Sequence, residues 1–285
     1  MRPLALHQIT ALEAGPLDLV PIAARAQAES VCIFVYLPPE TLPGRKGPDV
    51  QFPAVDASQK SEMLRRLRDY GVGVSNLEFF PLAAQVDLDA FAPALELGKE
   101  LGGLRAVTHV HDPDERRAVD SLARFCELAA SFELDVGLEF MGLSAACASL
   151  RRAIELVEQA ARPNLGIAVD ALHLVRTGSA PQELLAVHPS QISYAQICDG
   201  AHLARSSDYL TEALDRLRPG EGCFPLREIF ACLPASVPID VEVPSSSLIA
   251  RGISPMDRAI AAVEASRRLL ATVEPRARAA WRSNP

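Results

Sequence analysis

Residues 165–170 read Leu165-Gly166-Ile167-Ala168-Val169-Asp170: five positions without a polar side chain, closed by a carboxylate. A strand with one wet face alternates polar and apolar side chains, whereas a parallel strand covered on both faces does not. Seven more short apolar runs occur, at 4–10, 31–37, 72–80, 105–111, 135–141, 192–198 and 238–243. Longer amphipathic stretches separate them. Stretch 58–70 sets Met63, Leu64 and Leu67 on one face, and 116–132 carries Leu122, Phe125, Leu128 and Ala129 at three- and four-residue spacing. Stretch 146–161 repeats the pattern with Leu150, Ile154 and Val157. Two more lie at 225–233 and 254–273, the last opened by Ser254-Pro255, an N-cap followed by proline at the first helical position. Eight strands alternating with helices predict an α/β fold, a single (β/α)8 TIM barrel spanning 1–285, with 274–285 as a C-terminal tail. An open doubly wound sheet is the competing topology. The loop after the first run, Glu13-Ala14-Gly15-Pro16, lacks the glycine pattern of a phosphate cradle, which favours the barrel.

Composition narrows the function classes. The chain has 285 residues, 49% hydrophobic and 22% charged, enough apolar material for a sizeable core. A net charge of −8 argues against a nucleic-acid partner, whose phosphates demand a basic face. No apolar run reaches the roughly 18 residues needed to span a bilayer, so no membrane partner is expected. The start, Met1-Arg2-Pro3-Leu4-Ala5-Leu6, lacks the basic-then-apolar grammar of a signal peptide. Six cysteines are scattered with no Cys-x-x-Cys pair, a usage that suits buried thiols in a reducing compartment. A cytoplasmic location is the expectation. Dimers are the commonest soluble homo-oligomers, and a homodimer is the expected assembly.

Barrel enzymes keep their chemistry at the C-terminal ends of the strands. The fifth run contains Glu139, the sixth ends on Asp170 with His173 three residues later, the seventh contains Gln196 and the eighth Glu242. Four consecutive strands thus each carry an oxygen donor inside an apolar run. A charge buried there is costly unless it is paired or bound to metal. Three carboxylates and an amide oxygen make a hard donor set, suited to one divalent ion such as Mg²⁺, Mn²⁺ or Co²⁺ and poorly suited to a thiolate-type zinc centre. Such carboxylates repel one another without metal, so neutralising Glu242 is expected to leave the metal-free chain as stable as before or more so.

The set Glu139, Asp170-x-x-His173, Gln196 and Glu242 resembles the xylose-isomerase-like barrel superfamily of sugar isomerases, epimerases and dehydratases. So does the segment Arg216-Leu217-Arg218-Pro219-Gly220-Glu221-Gly222, similar to the family's Arg-then-Pro-Gly-x-Gly stretch between the last two strands. The likeness covers essentially the whole chain and is most specific in its second half. It implies Glu139, Asp170, Gln196 and Glu242 as metal ligands, His173 as a substrate-facing acid/base, and Arg216 as a contact to a substrate oxygen or carboxylate. It implies a small polyhydroxy carbonyl substrate. Glu139 and Glu242 would move protons during enolisation of a polyhydroxy ketone or keto-sugar, as in an isomerase or epimerase. Many sugar epimerases of the family have His where this chain has Gln196. Glutamine there resembles the inosose and 3-dehydroshikimate dehydratase branch, so dehydration through the same enolate is the alternative.

Other residues have blander readings beside a functional one. His109 and His111 alternate at the end of the fourth run, and at least one is expected to face the pocket and touch substrate. Glu78 is read either as pocket lining that binds substrate or as a buried partner of Arg105. His7 reads as a packed core residue, Cys198 as a small buried filler, His188 and His202 as surface residues. Arg205 and Arg218 compete with Arg216 for the anion-binding role. Two further function classes stand beside this one. A phosphodiesterase-type nuclease such as endonuclease IV shares the barrel, but needs extra histidines and a basic rim that six histidines and a −8 charge do not supply. A non-catalytic binding barrel would bind no divalent metal despite intact Glu139 and Glu242.

Overall fold

Each of the eight apolar runs forms a strand in the computed structural model, which describes residues 2–38, 53–205 and 207–274. The strands are β1 (Leu4–His7), β2 (Ser30–Phe34), β3 (Gly73–Leu82), β4 (Arg105–Val110), β5 (Asp135–Glu139), β6 (Leu165–Asp170), β7 (Ile192–Ile197) and β8 (Ile239–Val241). They pair in sequence order, all parallel, and β8 closes on β1. The chain is therefore a (β/α)8 barrel. The proposed tail lies outside the described residues from 275 onwards.

Ten α-helices follow among the described residues: α1 (Pro16–Arg25), α2 (Lys60–Tyr70), α3 (Ala92–Glu100), α4 (Glu115–Ser131), α5 (Leu150–Ala160), α6 (Ala171–Arg176), α7 (Tyr209–Ala213), α8 (Leu226–Cys232), α9 (Ser246–Ala250) and α10 (Pro255–Leu270). The expected helices correspond to α2, α4, α5, α8 and α10. Ser254 caps α10 as expected, its side chain accepting the Asp257 N–H, with Pro255 at the first position. Gly15-Pro16, read as loop, is the same device: Gly15 is the N-cap of α1 and Pro16 its first residue. None of the helices among the described residues is long and apolar enough to cross a membrane.

The outer faces of the strands and the inner faces of the helices form one continuous core, in which Phe80, Phe91 and Phe125 pack ring against ring. The inside of the barrel differs. Val107, Ala168 and Tyr194 make a small separate apolar cluster there. Next to Tyr194, Gly137 cannot be replaced without a shift, since an added Cβ would lie 2.7 Å from the Tyr194 ring. The pairing of β3 with β4 slips between Leu77 and Phe80. An extra residue reverses the inside–outside phase. Asn76 and Glu78 face the barrel axis before the slip. After it Phe80 joins the outer core, and Phe79 stacks on His109 with ring centroids 5.0 Å apart.

Candidate functional site

Every strand contributes a buried or half-buried side chain able to carry chemistry near its C-terminal end: His7, Cys32, Glu78, His109, Glu139, Asp170, Gln196 and, just past β8, Glu242. Register explains the grouping. Asp170 pairs with Gln196, which pairs with Asp240, and Glu242 lies two residues further on along the same face. Glu78, Glu139, Asp170, Asp240 and Glu242 are each 5% exposed or less. Such a concentration of buried carboxylates has to be offset by cations, hydrogen bonds or protons.

Arg216 supplies the fixed cation. Its Nη1 donates to Asp170 Oδ2 at 2.6 Å and its Nη2 lies 2.7 Å from Glu242 Oε1, while Nε donates to Ala213 O at 2.9 Å. This bridge weighs against the expectation for Glu242: the carboxyl faces a guanidinium as well as other carboxylates, so replacing it also removes a partner of Arg216. Arg216 is buried and lies in the site, as expected. Arg218 instead pairs with Glu221 on the rim, and exposed Arg205 lies over the Tyr209 ring. The segment that delivers Arg216 is held by Asp199, whose carboxylate accepts the amides of Gly220, Gly222 and Phe224 at 2.9–3.0 Å. Only glycine fits at 222, where an added Cβ would lie 2.3 Å from both Asp199 Oδ1 and Gly200 O.

The remaining donors are likewise tied down. Gln196 donates its Nε2 to Glu242 Oε2, an orientation that the opposite amide placement would turn into oxygen against oxygen. Its Oε1 is buried and has no hydrogen-bond partner. Glu139 has His109 Nε2 2.7 Å from one oxygen and His173 Nε2 3.5 Å from the other. Asp170 caps α6 by accepting the His173 N–H at 3.0 Å. The side-chain Nδ1 of His173 meets the Tyr209 hydroxyl at 2.5 Å. Glu78 does not pair with Arg105 in the way one reading supposed: its Oε1 faces His7 Nε2 at 3.3 Å and the Cys32 thiol at 3.6 Å. His111 is half-buried, its ring 6.1 Å from that of His109. Cys198 is the expected buried filler, in contact with Arg216 at 3.6 Å.

Proton affinities follow from this packing. Burial pushes the Glu139 carboxyl well above its usual range, with Glu78 and Asp170 adding repulsion. Burial also raises Glu242, to about 8, against the pull of Arg216 and His7. Burial is the largest influence on Asp170 too, yet Arg216 and His173, with the hydrogen bonds they donate, together hold the group below its ordinary value. Burial lowers His173 and His111 to about 4 each, leaving both neutral.

Among the described residues two groups bring ligand atoms within 4.8 Å of one another: Glu139, Asp170 and His173, and His7, Cys32 and Glu78. In the first, the Glu139 and Asp170 carboxylates suit a metal; the second does not. Nδ1 of His7 accepts the Ile9 N–H at 3.2 Å, so the proton of the neutral ring sits on Nε2 and points at Glu78, leaving no lone pair there for a cation. The nearby carboxylates, working against burial, raise the His7 pKa to about 9, and a second proton on that ring would have to break the Ile9 contact.

Sequence reasoning missed Tyr209 and the Asp240–Asn76 bond at 2.7 Å across the barrel interior, while His7 is the packed, hydrogen-bonded core residue expected. Asp240 alternates with Glu242 and Asn76 with Glu78, a period-two signal that places both on the inner face. Tyr209 had no such signal, for it lies in a short helix after β7.

The likeness to solved structures agrees with the barrel throughout. The IOLI protein with bound zinc superposes with a TM-score of 0.78 at 18% identity, covering 96% of this chain and 99% of that one. The probable 3-DHS dehydratase AsbF of Bacillus anthracis gives 0.70 at 16% identity, covering 94% and 99%. The D-allulose 3-epimerase of a Methylomonas species gives 0.68 at 15% identity, covering 94% and 98%. No curated protein sequence matches the chain. Identities this low establish shared architecture. The family model described as xylose isomerase-like TIM barrel goes further, matching residues 33–270, from within β2 through α10, and thereby all of the site except His7 and Cys32. The chain belongs to the xylose isomerase-like TIM barrel family.

Proposed function

We propose that the protein is a divalent-metal-dependent enzyme that enolises a polyhydroxy ketone or keto-sugar, acting as an isomerase or epimerase. One observation carries this reading: Glu139, Asp170, Gln196 and Glu242 are all buried at one end of four consecutive strands, and the Gln196 oxygen among them has no partner. The set fits a hard cation. Each carboxylate oxygen that accepts from Arg216, His173 or Gln196 retains a second lone pair. A zinc ion in the IOLI protein supports a metal in this barrel type, and the oxygen donors here suit Mg²⁺, Mn²⁺ or Co²⁺. When bound by these four residues, such an ion supplies Lewis-acid stabilisation of charge on the substrate carbonyl oxygen.

The chain's own residues do the rest. Glu139 and Glu242 stand on strands three barrel positions apart and flank the space between them, so one takes the proton beside the carbonyl and the other returns it. His109 fixes the Glu139 carboxylate at 2.7 Å. Arg216, anchored on Asp170 and Glu242, presents a rigid cation to a substrate oxygen, while His111 and Glu78 line the rim and floor.

The test is exchange of the substrate α-proton in D₂O, followed by NMR on ketohexoses, inososes and 3-dehydroshikimate. With Mg²⁺, Mn²⁺ or Co²⁺ deuterium should enter beside the carbonyl, and a chelator should stop it. Carbonyl migration or inversion identifies the isomerase, and loss of water identifies the dehydratase. Exchange that is unaffected by chelation, or absent with every metal and substrate, would overturn the reading.

A further inference from the structure

We propose that Tyr209 is a positioning residue that locks His173 in its Nε2–H tautomer, so that His173 meets a substrate oxygen as a hydrogen-bond donor and not as a base. The substrate part of this inference rests on the proposed function; the tautomer does not.

The argument follows the protons. Tyr209 is 7% exposed, its hydroxyl 2.5 Å from His173 Nδ1. Either the phenol donates to Nδ1 or the ring donates to the phenol. Gly142 lies against the Tyr209 ring, and among the described residues His173 Nδ1 is the one side-chain hydrogen-bond partner of the phenol. If the ring donated, the buried phenol hydrogen would be left without an acceptor, a costly arrangement. On the other side of the imidazole, Nε2 lies 3.5 Å from Glu139 Oε1, within reach of a donated proton. The phenol end of the ring selects Tyr209 O–H donating to Nδ1, which leaves Nε2–H directed into the site. The second ring nitrogen thus sets what the first can do.

Tyr209 is itself held from three sides. Arg205 lies 5.6 Å over its ring and donates to Gly142 O at 3.2 Å. Asp208 caps α7 by accepting the Thr211 N–H at 3.2 Å. Three residues along the same helix, Glu212 pairs with Arg176 of α6, the helix that bears His173. Helices α6 and α7 are therefore joined, which keeps the phenol and the imidazole in register.

A neutral imidazole whose Nδ1 is already occupied has no site from which to accept a substrate proton. It can only donate, so Glu139 and Glu242 are left to take the proton from carbon. The tautomer is read directly from long-range ¹H–¹⁵N NMR of the full chain labelled with ¹⁵N-histidine, without substrate. His173 should show a protonated Nε2 and an unprotonated Nδ1. In Tyr209→Phe the ring packing is kept, the lock is lost, and the spectrum should shift towards the Nδ1–H form. Turnover in that variant should fall on the order of 10–100-fold in kcat, with little change in KM. His173→Asn keeps a donor with no tautomer to set, and adding Tyr209→Phe to it should cost nothing more. A protonated Nδ1 in the wild type, or an unchanged spectrum in Tyr209→Phe, would overturn the proposal. The expected tautomer in a protein without metal-dependent exchange would instead refute the proposed function and leave this assignment intact.

Discussion

Arg216 shows how much rests on single side chains. Its guanidinium touches two of the four proposed ligands, 2.6 Å from Asp170 and 2.7 Å from Glu242, in a site where carboxylates outnumber fixed cations. Removing one partner of a buried ion pair strands the others. Arg216→Met should therefore destabilise the metal-free protein by about 3–5 kcal/mol in urea unfolding. Mn²⁺ should recover more stability in this variant than in the wild type, because the added cation replaces the missing charge. Equal midpoints for the two metal-free proteins would show that the bridge does not hold the site together. Glu242→Gln, for the same reason, should both lower the stability of the metal-free chain and abolish exchange. The repulsion argument available from the sequence pointed the other way, because it counted carboxylates without knowing that Arg216 folds back between them.

At the scale of elements, helix starts carry most of the local determinants. Helix α4 begins at Glu115 beneath a carboxylate clamp: Asp112 accepts from Arg117 Nη2 at 2.7 Å and from the Asp114 N–H at 3.0 Å, and is 1% exposed. The Arg117 hydrogen bonds hold the Asp112 carboxyl below its ordinary value. A group depressed on folding contributes stability above its unfolded pKa, near 3.9, and loses it as pH falls through the folded value. The melting-temperature gap between wild type and Asp112→Asn should stay constant from about pH 8 to pH 5 and close below about pH 4. A gap that persists at pH 2 would mean the side chain acts through packing alone. Helix starts also show why some elements were legible and others were not. Ser254-Pro255 was read correctly because a long periodic stretch follows it. Gly15-Pro16 is the same signal before a helix interrupted by Pro21, and the interruption hid it. Helices α6, α7 and α9 are five or six residues long, too short to show a period at all.

The whole molecule was the most legible level. Parallel strands covered on both faces lose their alternation, and that loss marks most of the eight, Leu165–Asp170 above all, although Ile239–Val243 keeps it. The barrel also exposes the candidate ligands, because Glu139, Asp170, Gln196 and Glu242 are anomalies within apolar strands. What the strands do not encode is how the loops return. Tyr209 and the pairing of Arg216 depend on the chain between β7 and β8 folding over the mouth, a tertiary event with no local period. The central claim is that this mouth binds one hard divalent ion through those four residues. Anomalous diffraction from crystals soaked in Mn²⁺ tests it most directly. The expected result is a single strong peak with one oxygen of each of Glu139, Asp170, Gln196 and Glu242 at about 2.0–2.6 Å. A peak elsewhere in the barrel, or none at a saturating Mn²⁺ concentration, would contradict it.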